Sequence, residues 1–190
     1  MKFNYLSYLK EGNARQQSAY QALRSLGLFD HLSEYRPLLA GTIPLGIDVV
    51  SSDLDICCEV YEPLSFVQTV SSRYSYLPEF YVDSNPTPHL STIIRFSYQK
   101  WPVELFGQPL PAIKQHAYRH MIIEHRILQL ANVAFREEIK ALKQRGVKTE
   151  PAFTQLLDLP GDPYQAVLDL ENYSDEQLWK LLSSRGYSGK

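Results

Sequence analysis

In the stretch LLAGTIPLGIDVVSSDLDICCEV, residues 38–60, two acids, Asp53 and Asp55, stand one residue apart inside an otherwise apolar run. PLLAG reads as a short buried strand ended by Gly41, and DLDICCEV as a second strand after the loop TIPLGIDVVSS. In a strand, residues i and i+2 share a face, so Asp53 and Asp55 project together while Leu54 and Ile56 point into the core. Carboxylates held this close repel unless a cation neutralises them or one is protonated. A divalent metal is the natural neutraliser. Mg²⁺ prefers oxygen donors and takes one or two carboxylates directly, leaving other positions for substrate phosphates. The plainer alternative makes Asp53 a loop cap and Asp55 a solvent-facing strand residue.

Two further features favour the metal. A Gly followed by a hydroxyl residue, as at Gly41-Thr42, lets backbone N–H groups and the Thr side chain approach a phosphate. Glu104, in WPVELFG, is a third acid bracketed by Val103 and Leu105, where a lone charge is costly unless paired or bound to metal.

Around these strands the chain is punctuated clearly. Tyr5, Leu6, Leu9, Ala19, Tyr20, Leu23, Leu26 and Leu28 are spaced for two N-terminal helices, with Asn13 as a cap between them. EPLSFVQTVSSRYS has Pro at a first helical position and apolar Leu64, Phe66, Val67 and Val70, and predicts a helix. EFYVD, LSTIIRFSY and WPVELFG are strand-like by β-branched and aromatic content, with hairpin connections. From Ala112 to about Lys143 the pattern is helical without an internal Pro or Gly. Three shorter helices follow, with Ser174 an N-cap before Glu176 and Gln177.

A length of 190 residues, with 44% apolar and 21% charged, fits one folded domain of ordinary size. The expectation is a single unit over 1–190, with a core at 30–110 and a helical part at 111–190 packed on it. A net charge of -2 and a pI near 6.2 provide no global field for nucleic acid or an anionic membrane. The neighbouring Cys57 and Cys58 point to opposite faces of a strand and cannot readily bridge, which suits a reducing cytoplasm. No stretch approaches the roughly 18 apolar residues of a membrane span, and the N-terminus lacks a signal-like apolar segment.

The pattern AGT, ten residues Ile43 to Ser52, DLDI and a distant VEL resembles the signature of the nucleotidyltransferase superfamily related to DNA polymerase β. The wider likeness of AGTIPLGIDVVSSDLDI, VELFGQPLP and QHAYRHMIIEHRIL is to an uncharacterised bacterial family within it. The resemblance implies an α/β (α+β) fold: a nucleotidyltransferase-like mixed β-sheet flanked by helices, with a C-terminal helical extension. It implies transfer of a nucleoside monophosphate from an NTP to a hydroxyl acceptor, with two Mg²⁺ or Mn²⁺ ions held by Asp53, Asp55 and Glu104. Gly41, Thr42 and Ser52 would seat phosphates. Thr42 stands where Ser is more usual, and Glu104 where Asp is common. The chemistry agrees independently, since such transfer needs in-line positioning and charge cancellation rather than a nucleophilic side chain.

Other candidates are less tied to a motif. Arg95, Lys114 and Arg119 are cations available for a triphosphate. His116, His120 and Glu124 are four residues apart among Ile113, Ile123 and Ile127. They read as satisfied core groups or as a border of the nucleotide pocket, His120 included, more than as a zinc site. Asp48 and Glu59 read as solvated, and the tyrosines as packing residues. The acidic balance favours a small-molecule acceptor over nucleic acid. The alternative functions are a regulatory or antitoxin-like module that binds NTP without turnover and, ranked last, a D-x-D glycosyltransferase.

Overall fold

Leu54 and Ile56 are buried and Asp55 only half-buried, the alternation that makes Leu54–Glu59 a strand with one apolar face. In the computed structural model, which describes residues 2–83 and 91–189, this strand (β2) lies second in a five-stranded mixed sheet. The others are β1 (Leu38–Ala40), β3 (Tyr81–Asp83), β4 (Thr92–Tyr98) and β5 (Trp101–Gln108). Their order is β1-β2-β5-β4-β3, with β2 and β5 parallel and the remaining pairs antiparallel.

The chain divides into two compact units, residues 1–46 with 52–118 and residues 47–51 with 119–190. The N-terminal helices belong with the sheet in the first of these units. The first unit buries one sheet face, including Leu39, Ile56, Phe96, Val103 and Leu105, against two helices. These are α1 (Ala14–Leu26) and, after the short α2 (Leu28–His31), α3 (Pro63–Tyr74).

Asn13 caps α1 as its sequence predicts: its side chain accepts from the Arg15 and Gln16 amides, and the Gln16 side chain accepts from the Asn13 amide. The Gln16 side-chain amide also donates to the carbonyls of Ile43 at 2.8 Å and Pro44 at 3.2 Å, tying the helix start to the loop after β1. The first N-terminal piece is 3-10 rather than α, at Leu6–Glu11. In α3, Phe66 and Val70 are buried as expected but Leu64 is exposed, because its place in the first turn faces away from the sheet.

The β4–β5 connection is a two-residue hairpin, Gln99-Lys100, with Gln99 left-handed at φ 55°. The expected hairpin between β3 and β4, and the strand start at Leu90, fall outside the described residues. Gly107 on β5 sits where a Cβ would lie 2.7 Å from Val60 Cγ2 and 3.2 Å from Phe66 Cε1, so only glycine lets this strand lie against those two residues.

The expected helical run from Ala112 is broken twice. A 3-10 turn, Ala112–Lys114, ends at extended Gln115 before α4 (His116–Leu130), and Asn132 then caps α5 (Val133–Gln144) by accepting from the Phe135 amide. The break at Ala131-Asn132 is held by a strand-like bridge to Ser188 and by the Tyr187 carbonyl, groups far away in sequence. In the second unit α6 (Thr149–Leu157), α7 (Pro163–Asp169) and α8 (Asp175–Ser184) follow, the last with the capping box expected at Ser174. Phe135 sits edge-on to Phe153 and Tyr187 in the core of this unit. No helix among the described residues is long and apolar enough to cross a membrane.

Candidate functional site

The sheet face opposite the core carries the candidate acids. Because β2 and β5 are parallel and pair Asp55 with Glu104, both carboxylates rise from neighbouring strands on one face. Continuing the same row, Ala40 on β1 pairs with Asp55, Arg95 on β4 pairs with Glu104, and Tyr81 on β3 pairs with Arg95. Asp53 immediately precedes β2.

Glu104 stands between two hollows. On one side it shares a cleft of about 650 Å³ with Asp55, Cys57, Phe106, Gln108 and His116, within the size of small-molecule sites. On the other it shares a depression of about 210 Å³ with Asp53, Glu79, Tyr81, Arg95 and Ser97. The Ser97 hydroxyl donates to the Glu79 carboxylate there.

The Gly41-Thr42 turn lies under Asp55. Gly41 is left-handed at φ +73°, and a Cβ placed on it would fall 2.2 Å from Asp55 Oδ2. The Asp55 carboxylate thus fills the space that any larger residue at 41 would need, which is why the turn carries Gly. The Thr42 hydroxyl donates to that of Ser52 at 3.3 Å, closing the loop between β1 and β2.

Cys57, two residues beyond Asp55 on the same face, is buried and lines the larger cleft. Burial first, and then the Asp55 and Glu104 carboxylates, push its thiol up to about 12. Behind it, Gln115 is fully buried and donates to the Cys58 carbonyl at 2.8 Å and the Leu110 carbonyl at 3.1 Å, fixing the approach to α4. Sequence reasoning missed Gln115, because its function depends on the extended backbone between the 3-10 turn and α4.

Glu104 is already partnered. Arg95 donates to its Oε2 from Nε and from Nη2, each at 2.7 Å. Among the described residues no three His, Cys, Asp or Glu side chains stand together in a group able to hold a metal. The donor chemistry still fits a divalent ion: hard carboxylate oxygens at Asp53 and Asp55, a second carboxylate in register at Glu104, and an open cleft beside them.

Arg119 and His120 belong to the second unit. Arg119 is bound through Nε and Nη2 to Glu171, at 3.1 and 2.6 Å. His120 is buried with one ring nitrogen 3.3 Å from Glu150 and the other 2.9 Å from the Tyr164 carbonyl. Both are held by helices of that unit. Lys114 is exposed on its 3-10 turn and lines neither hollow named above.

The stripe expected on α4 is only partly inward: His120 and Glu124 are buried, but His116 at the helix start and Ile113 on the preceding 3-10 turn are exposed. Glu59, expected to be solvated, has a side chain only 12% exposed that pairs with Arg36 at 3.2 Å and accepts from the Tyr61 hydroxyl.

The mixed sheet with its flanking helices is a nucleotidyltransferase-like fold. It is similar to the GLD-2/RNP-8 complex (TM-score 0.56, 13% identity, 90% of this chain and 64% of that one). It is also similar to a cytoplasmic RNA terminal U-transferase (0.50, 12%, 85% and 49%) and to Cid1 poly(U) polymerase with magnesium and 3'-dATP (0.51, 12%, 85% and 52%). The chain spans less than two thirds of the length of these structures, and at such identities the likeness is one of fold. No curated protein matches the sequence. A family profile described as "Domain of unknown function (DUF4269)" matches residues 21–170, and the chain belongs to that family.

Proposed function

We propose that this chain is a Mg²⁺- or Mn²⁺-dependent nucleotidyltransferase that moves a nucleoside monophosphate from an NTP to the hydroxyl of a small molecule. The observation that carries the reading is the in-register pair Asp55 and Glu104, facing an open cleft with Asp53 at the strand start and the Gly41-Thr42 turn beneath. The fold supports it, since Cid1 carries RNA terminal uridylyl transferase activity and was observed with MgGTP. Those neighbours are named for RNA or poly(U), whereas the net charge of -2 here favours an uncharged or small acceptor over a polyanion.

In this reading Asp53 and Asp55 would hold the cation that accompanies the triphosphate, and Asp55 and Glu104 the one on the acceptor side. The bound ions supply charge neutralisation at the triphosphate and a lowered pKa at the acceptor hydroxyl. The acceptor oxygen attacks the α-phosphorus, its bond to the bridging oxygen breaks, pyrophosphate leaves with that electron pair, and the hydroxyl proton passes to solvent. Gly41 and Thr42 orient the leaving phosphates through backbone N–H groups and a hydroxyl. We also assign the family to bacteria and the chain to their cytoplasm, where the free, buried Cys57 and Cys58 stay reduced.

One observation favours a second reading, a module that binds NTP without turning it over: Arg95 already neutralises Glu104. Two experiments decide. A non-hydrolysable NTP with Mg²⁺ should raise the melting temperature of wild type and far less that of Asp53→Asn or Asp55→Asn; equal shifts in all three would sink the metal role. A screen of NTPs against small-molecule hydroxyl compounds should release pyrophosphate. Silence across a broad panel, with binding intact, would favour the module.

A further inference from the structure

The Arg95–Glu104 pair stands on the polar face of the sheet. It lies within the row Ala40, Asp55, Glu104, Arg95, Tyr81 that crosses the polar face of the sheet, beside the carboxylates assigned to metal. Arg95 is the cation of a depression whose lining includes Asp53, Glu79 and Glu104. Its guanidinium places two donors on a single oxygen of Glu104, an arrangement that fixes a carboxylate's direction as well as its charge. The Arg95 side chain is 46% exposed, against 25% for Glu104, so the arginine has open solvent to move into and the glutamate has less.

We propose that Arg95 serves as a built-in cation: it holds the Glu104 carboxylate on the sheet face while the site is without metal, and it leaves Oε2 before Glu104 contributes to a second divalent ion. The inference rests on the nucleotidyltransferase reading. Its physical basis is charge. Acids crowded on one face repel, and a guanidinium beside them offsets that repulsion in the resting protein. A divalent ion and a guanidinium cannot both take the same carboxylate oxygen, so the two compete. Binding of the acceptor-side ion then includes the work of displacing Arg95, which keeps that ion weak until nucleotide and acceptor bring further oxygen donors. Arg95 is a positioning residue in this scheme, acting through Glu104 rather than on the reacting atoms.

The test is a titration of the full chain with Mn²⁺, following free Mn²⁺ by electron paramagnetic resonance, in the presence of a saturating non-hydrolysable NTP. Wild type should bind one ion tightly and a second weakly. Arg95→Gln should tighten the second ion at least fivefold and leave the first within twofold, Arg95→Lys should fall between, and Arg95→Gln with Glu104→Gln should lose the second ion. An unchanged or weaker second ion in Arg95→Gln overturns the proposal while the metal role of Asp53 and Asp55 stands. Absence of bound Mn²⁺ in both wild type and Arg95→Gln removes this inference and the nucleotidyltransferase reading together. A measurement on unmodified protein guards against variants that misfold: the Nε–H nitrogen resonance of Arg95 should shift and its proton exchange faster at saturating Mg²⁺ and NTP. A resonance that stays put under those conditions also overturns the proposal.

Discussion

Asp55 and Glu104 are register partners across the parallel β2–β5 pair, and the carboxylate of Asp55 occupies the space that a side chain at Gly41 would claim. The turn, the strand and the neighbouring strand are therefore coupled through one carboxylate.

Gly41→Ala should disturb the site and the fold at once. The positive φ costs a non-glycine residue roughly 1–2 kcal/mol, and the added Cβ would meet Asp55 Oδ2 at 2.2 Å. Urea denaturation should show at least that loss, with Mg²⁺–NTP stabilisation largely gone. In the double variant with Asp55→Gly the steric part should be recovered and the backbone part should remain. A Gly41→Ala protein as stable as wild type would contradict the close approach.

Arg119 supplies the opposite case. Its guanidinium is bound to Glu171, and on that ground Arg119→Ala should leave Mg²⁺–NTP affinity within twofold. A partly exposed pair of this kind is worth less than about 1 kcal/mol, and stability should change by no more. Tenfold weaker nucleotide binding in calorimetry would restore Arg119 to the site.

Glu124 should give the protein a pH-dependent weakness. Burial, then the nearby Glu150 carboxylate, raise its carboxyl well above the ordinary value of 4.5, with Lys143 opposing. The unfolded chain releases this proton near the ordinary value while the folded chain keeps it. The folded state thus binds more protons across that window, and stability falls as pH rises through it. Glu124→Gln, permanently neutral and of similar volume, should match wild type near pH 4 and exceed it progressively above. Denaturant midpoints from pH 4 to 8 that run parallel for the two proteins would refute this.

The thiols should be silent in the folded protein. Cys57 is raised to about 12 and Cys58 is raised as well, both chiefly by burial, so thiolate is scarce at neutral pH. Reaction with a disulfide reagent at pH 8 should be slow until denaturant exposes both groups, and then fast and complete for two thiols. Rapid labelling of one thiol without denaturant would show that Cys57 is open to the cleft.

Much of this was written locally. The caps at Asn13 and Ser174, the strand carrying Asp55 and the strand carrying Glu104 follow from neighbours within a few residues, and a reader of sequence finds them. What local pattern cannot give is who stands beside whom. Arg119 has the look of a free cation until Glu171, 52 residues further on, takes it. His120 is claimed by the Tyr164 carbonyl 44 residues away, and the helical run past Leu130 is broken by partners near the C-terminus. Arg95 lay in view as a cation, but its engagement with Glu104 depends on the pairing of β4 with β5.

The glycine at 107 has a bearing on how such a site can vary over evolutionary time. Moving β5 by a single residue would press Phe106 or Gln108 into the gap beneath Val60 and Phe66, and would turn Glu104 from the open face to the core. On the proposed reading, an exchange of the acid at 104 in place, Asp for Glu or amide for acid, would tune or silence the chemistry and leave the strand where it is. Insertions and deletions between 104 and 107 would shift it, so the spacing V-E-L-F-G should outlast the identity of its acid.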